Sequence, residues 1–402
     1  MSIINRRNFF AGIGTGILGL SIGKHASASP AGIPSVEGGA AISAEPRIKK
    51  YVTLGNTGLK VSDLIFGSTS FFSPNVAEYA YDLGVTCFDT AENYMGGKAE
   101  EYFGKALKGK RDKVVIITKH FGRRSPGQKL TGKMLIEKVD ASLKSLKTDY
   151  LDVVFFHRLE TFDEIKDTDL LPTYEQLKKE GKIRFTGFST HHAPVTLKEC
   201  FDPKYKDFVQ VVMFMYNHME GKKIEPNIKK LHEKGIGTIA MKTMAGGKQG
   251  NLKSFVDDKV SYPQVAISWV LGNPDVDCAV LSMRSFSHAE EYIGASGRRM
   301  KRDDIAMLKR YRRDVNNEYC RVSCNECESS CPRGVAISDI MRYEMYFADY
   351  GHEKEAMDEY ALLDKKRKPI SCAGCSGYCT TACPFGLKVK DRLINTHEML
   401  SA

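Results

Sequence analysis

The chain has 402 residues, 42% of them hydrophobic and 27% charged, the balance of a soluble globular protein and not of a disordered or fibrous one. That length suffices for a barrel-sized domain plus something smaller. The formal charge is +10, but the basic residues are scattered among acids with no basic run interleaved with aromatics, so no nucleic acid is expected as a partner.

The N-terminal segment reads NRRNFFAGIGTGILGLSIGKHASASPAG. Arg6 and Arg7 precede Phe9 and Phe10, then a weakly apolar stretch from Ala11 to Ile22, then Ala26-Ser27-Ala28. A charged start, an apolar middle and a small-residue cleavage site make an export signal. The apolar part falls short of the roughly 20 residues of a membrane-spanning helix; an uncleaved anchor holding the protein at the membrane is the alternative. The segment resembles a twin-arginine signal, whose export machinery carries folded proteins, so residues 1–30 are expected to send the chain to the periplasm. Gly14 to Gly19 match the dinucleotide fingerprint in letters, but the fingerprint needs a preceding strand that this position lacks. Residues 31–49 are small, rich in Gly and Pro, and without periodicity, and read as a linker.

From Tyr51 the pattern changes. YVTL-GNTG-LKVS is a hairpin by its turn residues. Eight short runs rich in Val, Ile and Phe follow: 64–68, 86–90, 114–119, 151–157, 184–189, 208–214, 237–242 and 278–282. Such runs suit strands buried on both faces. Amphipathic segments at 133–147, 169–180 and 263–271 predict helices between them. Repeated strand–helix units over this length predict an α/β fold, a (β/α)8 TIM barrel over residues 50–312. A doubly wound sheet is the alternative, but no Gly-rich phosphate loop follows the first run.

A barrel keeps its chemistry at the C-terminal ends of its strands. There the sequence places Asp89, with Tyr94 shortly after it, then Lys119, then His157. A tyrosine hydroxyl titrates near 10 and is a poor acid or base at neutral pH. A nearby ammonium would lower that value, an aspartate would hold the ammonium, and a histidine could orient a substrate oxygen. FDTAENY, ITK and the FFH strand end resemble the catalytic tetrad of the aldo-keto reductases, and the likeness runs from about Tyr51 to Tyr292. It implies hydride transfer between NAD or NADP and a small carbonyl or alcohol, with Tyr94 as the proton donor or acceptor. It also implies nicotinamide-nucleotide contacts from Ser189 and Thr190 in GFSTHH, Lys242 in IAMKTMAGG, and Met283, Arg284 and Ser285 in VLSMRSFSHAEE. Thr190 stands where the family usually carries Asn, Met213 where it carries Gln, and Met241 where some members stack an aromatic ring.

Of the eleven cysteines, Cys87, Cys200 and Cys278 are isolated, and those in apolar runs read as buried inert thiols. The other eight form CRVSCNECESSCP (320–332) and CAGCSGYCTTACP (372–384). Paired Cys-x-x-Cys units can hold zinc. Two quartets each closed by Cys-Pro are instead one-residue expansions of the bacterial ferredoxin run, which binds 4Fe-4S clusters through soft thiolates. Residues 313–402 therefore resemble a small α-helical ferredoxin-like domain, with a helical stretch expected over 338–364. The ferredoxin pattern, in which the fourth cysteine serves the other cluster, implies Cys320, Cys324 and Cys327 with Cys383, and Cys372, Cys375 and Cys379 with Cys331. Clusters are assembled inside the cell, so a folded-protein export signal and an iron–sulfur passenger support each other.

An exported reductase would either carry its nucleotide tightly bound, with the clusters passing electrons to or from a partner protein, or use another electron route. Two further readings stay open at this point: a plain reductase whose clusters are structural, and a catalytically idle barrel that carries an electron-transfer module.

Overall fold

The computed structural model describes residues 46–401 except 71, 123, 125–126, 246–254, 258–259, 316–317 and 322–323. The export-signal reading and most of the linker lie outside those residues. Glu45–Ala402 form one compact unit.

The hairpin forms as its turn chemistry dictates. Tyr51–Thr53 pairs antiparallel with Lys60–Ser62, and Gly58 at the turn has φ +73°, which glycine adopts without penalty. Eight parallel strands then close into a barrel: β1 (Leu64–Gly67), β2 (Cys87–Asp89), β3 (Val115–His120), β4 (Leu151–Phe156), β5 (Ile183–Thr190), β6 (Val211–Met215), β7 (Gly237–Met241) and β8 (Cys278–Ser282). β8 pairs with β1 from Ala279↔Leu64 to Ser282↔Gly67, which closes the ring.

Side chains alternate across each strand, as the period-2 pleat requires. Val115 and Ile117 point into the barrel with Val153, Phe155, Met213 and Ile239, over a floor of Leu54, Leu59 and Val61 from the hairpin. Ile116, Val154 and Phe156 face outward beneath the helices. Those helices include Gly132–Leu146, Leu170–Lys179 and Tyr262–Leu271, close to the amphipathic segments in the sequence. Thr131 caps the first of them, its side chain accepting from Met134 N.

Residues 46–49 pack on the barrel and are not free linker. Ile48 is buried and its N–H donates to Leu83 O at 2.9 Å. The helix Arg302–Val315 spans position 312, where the sequence placed the boundary between the barrel and the C-terminal region. Beyond it, Ile337–Ala348, Glu353–Ala361, Tyr378–Ala382 and Val389–Ser401 are helical. They build a separate core of Val335, Ile340, Tyr360, Val389 and Leu393 with Cys327, Cys372 and Cys379. Among the described residues no helix is long and apolar enough to cross a membrane.

Candidate active site and cysteine cavity

The strand ends bring the four rim residues together. Asp89 closes β2, in register with Gly67 of β1 and Ile117 of β3, and Lys119 lies on β3 opposite Phe155. The Lys119 ammonium sits 2.6 and 2.7 Å from the two Asp89 oxygens and donates to Thr90 O at 2.8 Å. Both side chains are almost fully buried. Burial pushes the Asp89 carboxyl up and the Lys119 ammonium down, and their mutual contact opposes both shifts.

Tyr94 opens a short 3-10 turn, Tyr94–Gly97, in which Met95 takes φ +55°. Its hydroxyl lies 3.2 Å from His157 Nε2, and Lys119 Nζ lies 4.8 Å from the centre of its ring. His157 follows β4 directly, its N–H donating to His120 O at 2.9 Å. Burial, and then the charges of Lys119, Arg158 and Arg124, push His157 well below the usual imidazole range, so it is neutral. Its Nδ1 is buried with no hydrogen-bond partner among the described residues.

The expectation that Lys119 lowers the Tyr94 pKa does not match this arrangement. Burial, followed by the charges of Asp89 and Glu355, pushes the phenol well above its ordinary value. Asp89 takes up the Lys119 charge, so Tyr94 holds its proton through neutral pH.

Left-handed backbone at residues other than glycine recurs along the same rim. Phe121 after β3, Arg158 after β4 and Lys242 after β7 have φ of 68°, 61° and 57°. Such conformations persist where the surroundings over-determine them. At Arg158 the N–H donates to Ser189 Oγ at 3.0 Å, the carbonyl accepts from Arg124 Nη2 at 2.9 Å, and the guanidinium pairs with Glu359.

The residues expected to meet a nucleotide divide into two groups. Ser189, Lys242 and Arg284 line the cavity above the tetrad, with Met213 and Met241. Thr190 turns its hydroxyl to Thr196 Oγ1 at 3.0 Å and accepts from His192 N at 2.9 Å, at the start of helix Ala193–Glu199. The Met283 side chain belongs to the outer core. Ser285 caps helix Phe286–Ile293, accepting from His288 N at 3.2 Å. The fold uses these three side chains.

One wall of this cavity was not legible in the sequence. Tyr346, Asp349, Tyr350, His352, Glu355 and Glu359 face the tetrad from helices Ile337–Ala348 and Glu353–Ala361 and the turn between them. The seam is polar. Glu359 pairs with Arg158 and His352 Nε2 lies 2.9 Å from Ser70 Oγ. Lys242 Nζ lies 4.5 and 5.2 Å from the ring centres of Tyr346 and Tyr350. Helix Ile337–Ala348 also reaches a second cavity at its other end, where Ile337 and Ser338 lie beside Cys320, Cys324, Cys327 and Cys383. In the other quartet, burial and the nearby sulfurs of Cys331, Cys379 and Cys375 push the Cys372 thiol up to about 11. Cys87, Cys200 and Cys278 are buried free thiols, and burial raises each of them.

Comparison with known proteins bears on the barrel. Residues 72–254 match the sequence profile described as the aldo/keto reductase family. The L-galactose dehydrogenase of Arabidopsis thaliana is 29% identical over 280 residues, 60% of this chain and 86% of that protein. The versiconal hemiacetal acetate reductase of Aspergillus parasiticus is 33% identical over 177 residues, 35% of this chain and 51% of that protein. An aldo-keto reductase of Bacillus halodurans solved in its holo form superposes with a TM-score of 0.54 at 24% identity, over 65% of this chain and 95% of that one. At that identity the superposition speaks for the fold.

Proposed function

The barrel belongs to the aldo/keto reductase family, and from that premise we propose that it interconverts a small carbonyl and its alcohol, with Tyr94 moving the proton. The observation that carries this reading is the contact chain Asp89–Lys119 beneath Tyr94, with Tyr94 Oη 3.2 Å from a neutral His157. The two relatives named as an L-galactose dehydrogenase and a hemiacetal acetate reductase favour an oxygenated carbon as the reacting centre. A nicotinamide nucleotide, NAD or NADP, supplies or takes the hydride when bound. Ser189, Lys242 and Arg284 line the cavity with hydroxyl, ammonium and guanidinium donors, a set that fits such a group. In the reducing direction Tyr94 gives its proton to the developing alkoxide. His157 Nε2 lies within hydrogen-bond reach of the same hydroxyl and orients the oxygen there. Lys119, held by Asp89, keeps positive charge beneath the ring as the phenolate forms.

We also propose that the two cysteine quartets hold 4Fe-4S clusters that exchange electrons with a partner protein. Four sulfurs converge on one cavity in the crossed pattern of the two-cluster ferredoxins. The Arg6-Arg7 segment supports export to the periplasm through the twin-arginine machinery.

Tyr94→Phe tests the catalytic reading. Loss of a positioned proton donor costs about 10²–10⁴ in kcat, and the iron content of anaerobically purified protein should not change. Undiminished turnover of carbonyls would sink the tetrad. Zinc in place of about eight iron atoms per chain would remove the clusters from the proposal.

A further inference from the structure

The cavity wall contributed by the C-terminal helices carries chemistry of its own, centred on Glu355. Its carboxylate lines the cavity that holds Tyr94, Lys119 and His157. It is fixed from behind: Oε2 lies 3.3 Å from His352 Nδ1, and His352 Nε2 lies 2.9 Å from Ser70 Oγ in the loop after β1. One tautomer satisfies both contacts, with Nδ1–H donating to the carboxylate and Nε2 accepting from the serine hydroxyl. The strap thus runs from the barrel through the imidazole to the carboxylate and sets its position relative to the tetrad.

Burial raises the Glu355 carboxyl, but the His352 contact and the charges of Lys242 and Arg158 outweigh it and bring the group below its ordinary value. It stands in the cavity as an anion with its position fixed and only one oxygen engaged by His352. An ionised carboxylate is a pure acceptor with about four lone-pair sites, so most of its capacity remains for a ligand. The ring of Tyr346 adds an apolar face to the same wall, and Lys242 holds it in place.

We propose that Glu355 is a specificity-determining residue that binds the part of the substrate remote from the reacting carbon, and that this part bears hydroxyl groups. The reaction would then be one on a hydroxylated aldehyde or ketone, or on the polyol related to it. The carbonyl oxygen meets Tyr94 and His157 while a distal hydroxyl donates to Glu355. This rests on the carbonyl reading of the barrel given above.

D-glyceraldehyde and propanal share a three-carbon aldehyde and differ in hydroxyl groups, so their comparison isolates this contact. A hydrogen bond to a charged group, once lost, costs about tenfold or more in affinity. Glu355→Gln, which keeps shape and removes charge, is expected to raise the ratio of the KM for D-glyceraldehyde to that for propanal by that factor, with the effect in KM and not in kcat. Glu355→Ala is expected to raise it at least as far. An unchanged ratio overturns the proposal, whether both aldehydes weaken together or neither changes. If the unmutated protein reduces neither aldehyde, the carbonyl reading fails, and Glu355 is then decided without turnover. Saturation-transfer NMR with glycerol and 1-propanol reads binding directly. Selective loss of the glycerol signal in both variants upholds the assignment, and equal signals in variant and unmutated protein overturn it.

Discussion

A methyl group at position 122 would sit 2.3 Å from His157 Nδ1 and 3.1 Å from Asn93 Oδ1. Gly122 therefore lets the loop after β3 close over the imidazole, and that contact keeps Nε2 turned toward Tyr94. Gly122→Ala is expected to push His157 out of line. Because misplacing a catalytic group by about 1 Å can cost some 10²-fold, kcat should fall by that order while thermal stability changes little; steady-state kinetics and a melting curve check both. At this scale the sequence was informative where a polar residue ends an apolar run. Asp89, Lys119 and His157 each do so, and the structure brings all three beside Tyr94. It was less informative at Thr190, Met283 and Ser285, because a side chain that bonds a neighbouring turn, fills the core or caps a helix looks in the sequence like one that meets a ligand. Gly122 carried no signal, since its role depends on a histidine just past the end of the next strand.

The eight strands are the best-read elements, because Val, Ile and Phe runs buried on both faces have few other uses in a soluble chain. The helices between the cysteine quartets were equally legible in outline, as Ile337–Ala348 and Glu353–Ala361 match the expected stretch to within one residue. What these two helices touch was hidden, since pairing across some two hundred positions leaves no local pattern. The Arg158–Glu359 ion pair is the clearest such contact, with side chains 17% and 6% exposed. Removing one partner of a buried pair strands the other charge and typically costs about 3–5 kcal/mol. Glu359→Gln should therefore lower the denaturant midpoint by a corresponding amount. An effect below about 1 kcal/mol, the worth of an exposed pair, would show that the seam contributes little to stability.

For the molecule as a whole, acid is the condition that burial makes costly. His120, His157, His191 and His218 are all buried. Burial lowers His120 to about 4 and His218 to about 3, and pushes His157 and His191 well down. The unfolded chain takes up protons near 6.5 while the folded one refuses them, so this contribution is complete above pH 6.5 and is lost as pH falls toward 4. For His120 alone the full shift is worth about 3 kcal/mol. The histidine contribution to the free energy of unfolding should fall between pH 6.5 and 4, opposed over the same range by Glu220, whose carboxyl burial pushes up to about 7. His120→Gln should flatten part of that drop, which denaturant titrations at a series of pH values will register.

Helix Ile337–Ala348 has Ile337 beside four sulfurs and Tyr346 beside the barrel's rim, a span of about 14 Å at the rise of an α-helix. A rod that short transmits displacement from end to end, so the two halves cannot be prepared separately without damage. Cutting the chain ahead of it would leave Lys242 without its aromatic cradle and Arg158 without its counterion. An excised barrel should consequently be a poor stand-in for the intact protein even in assays that never involve iron.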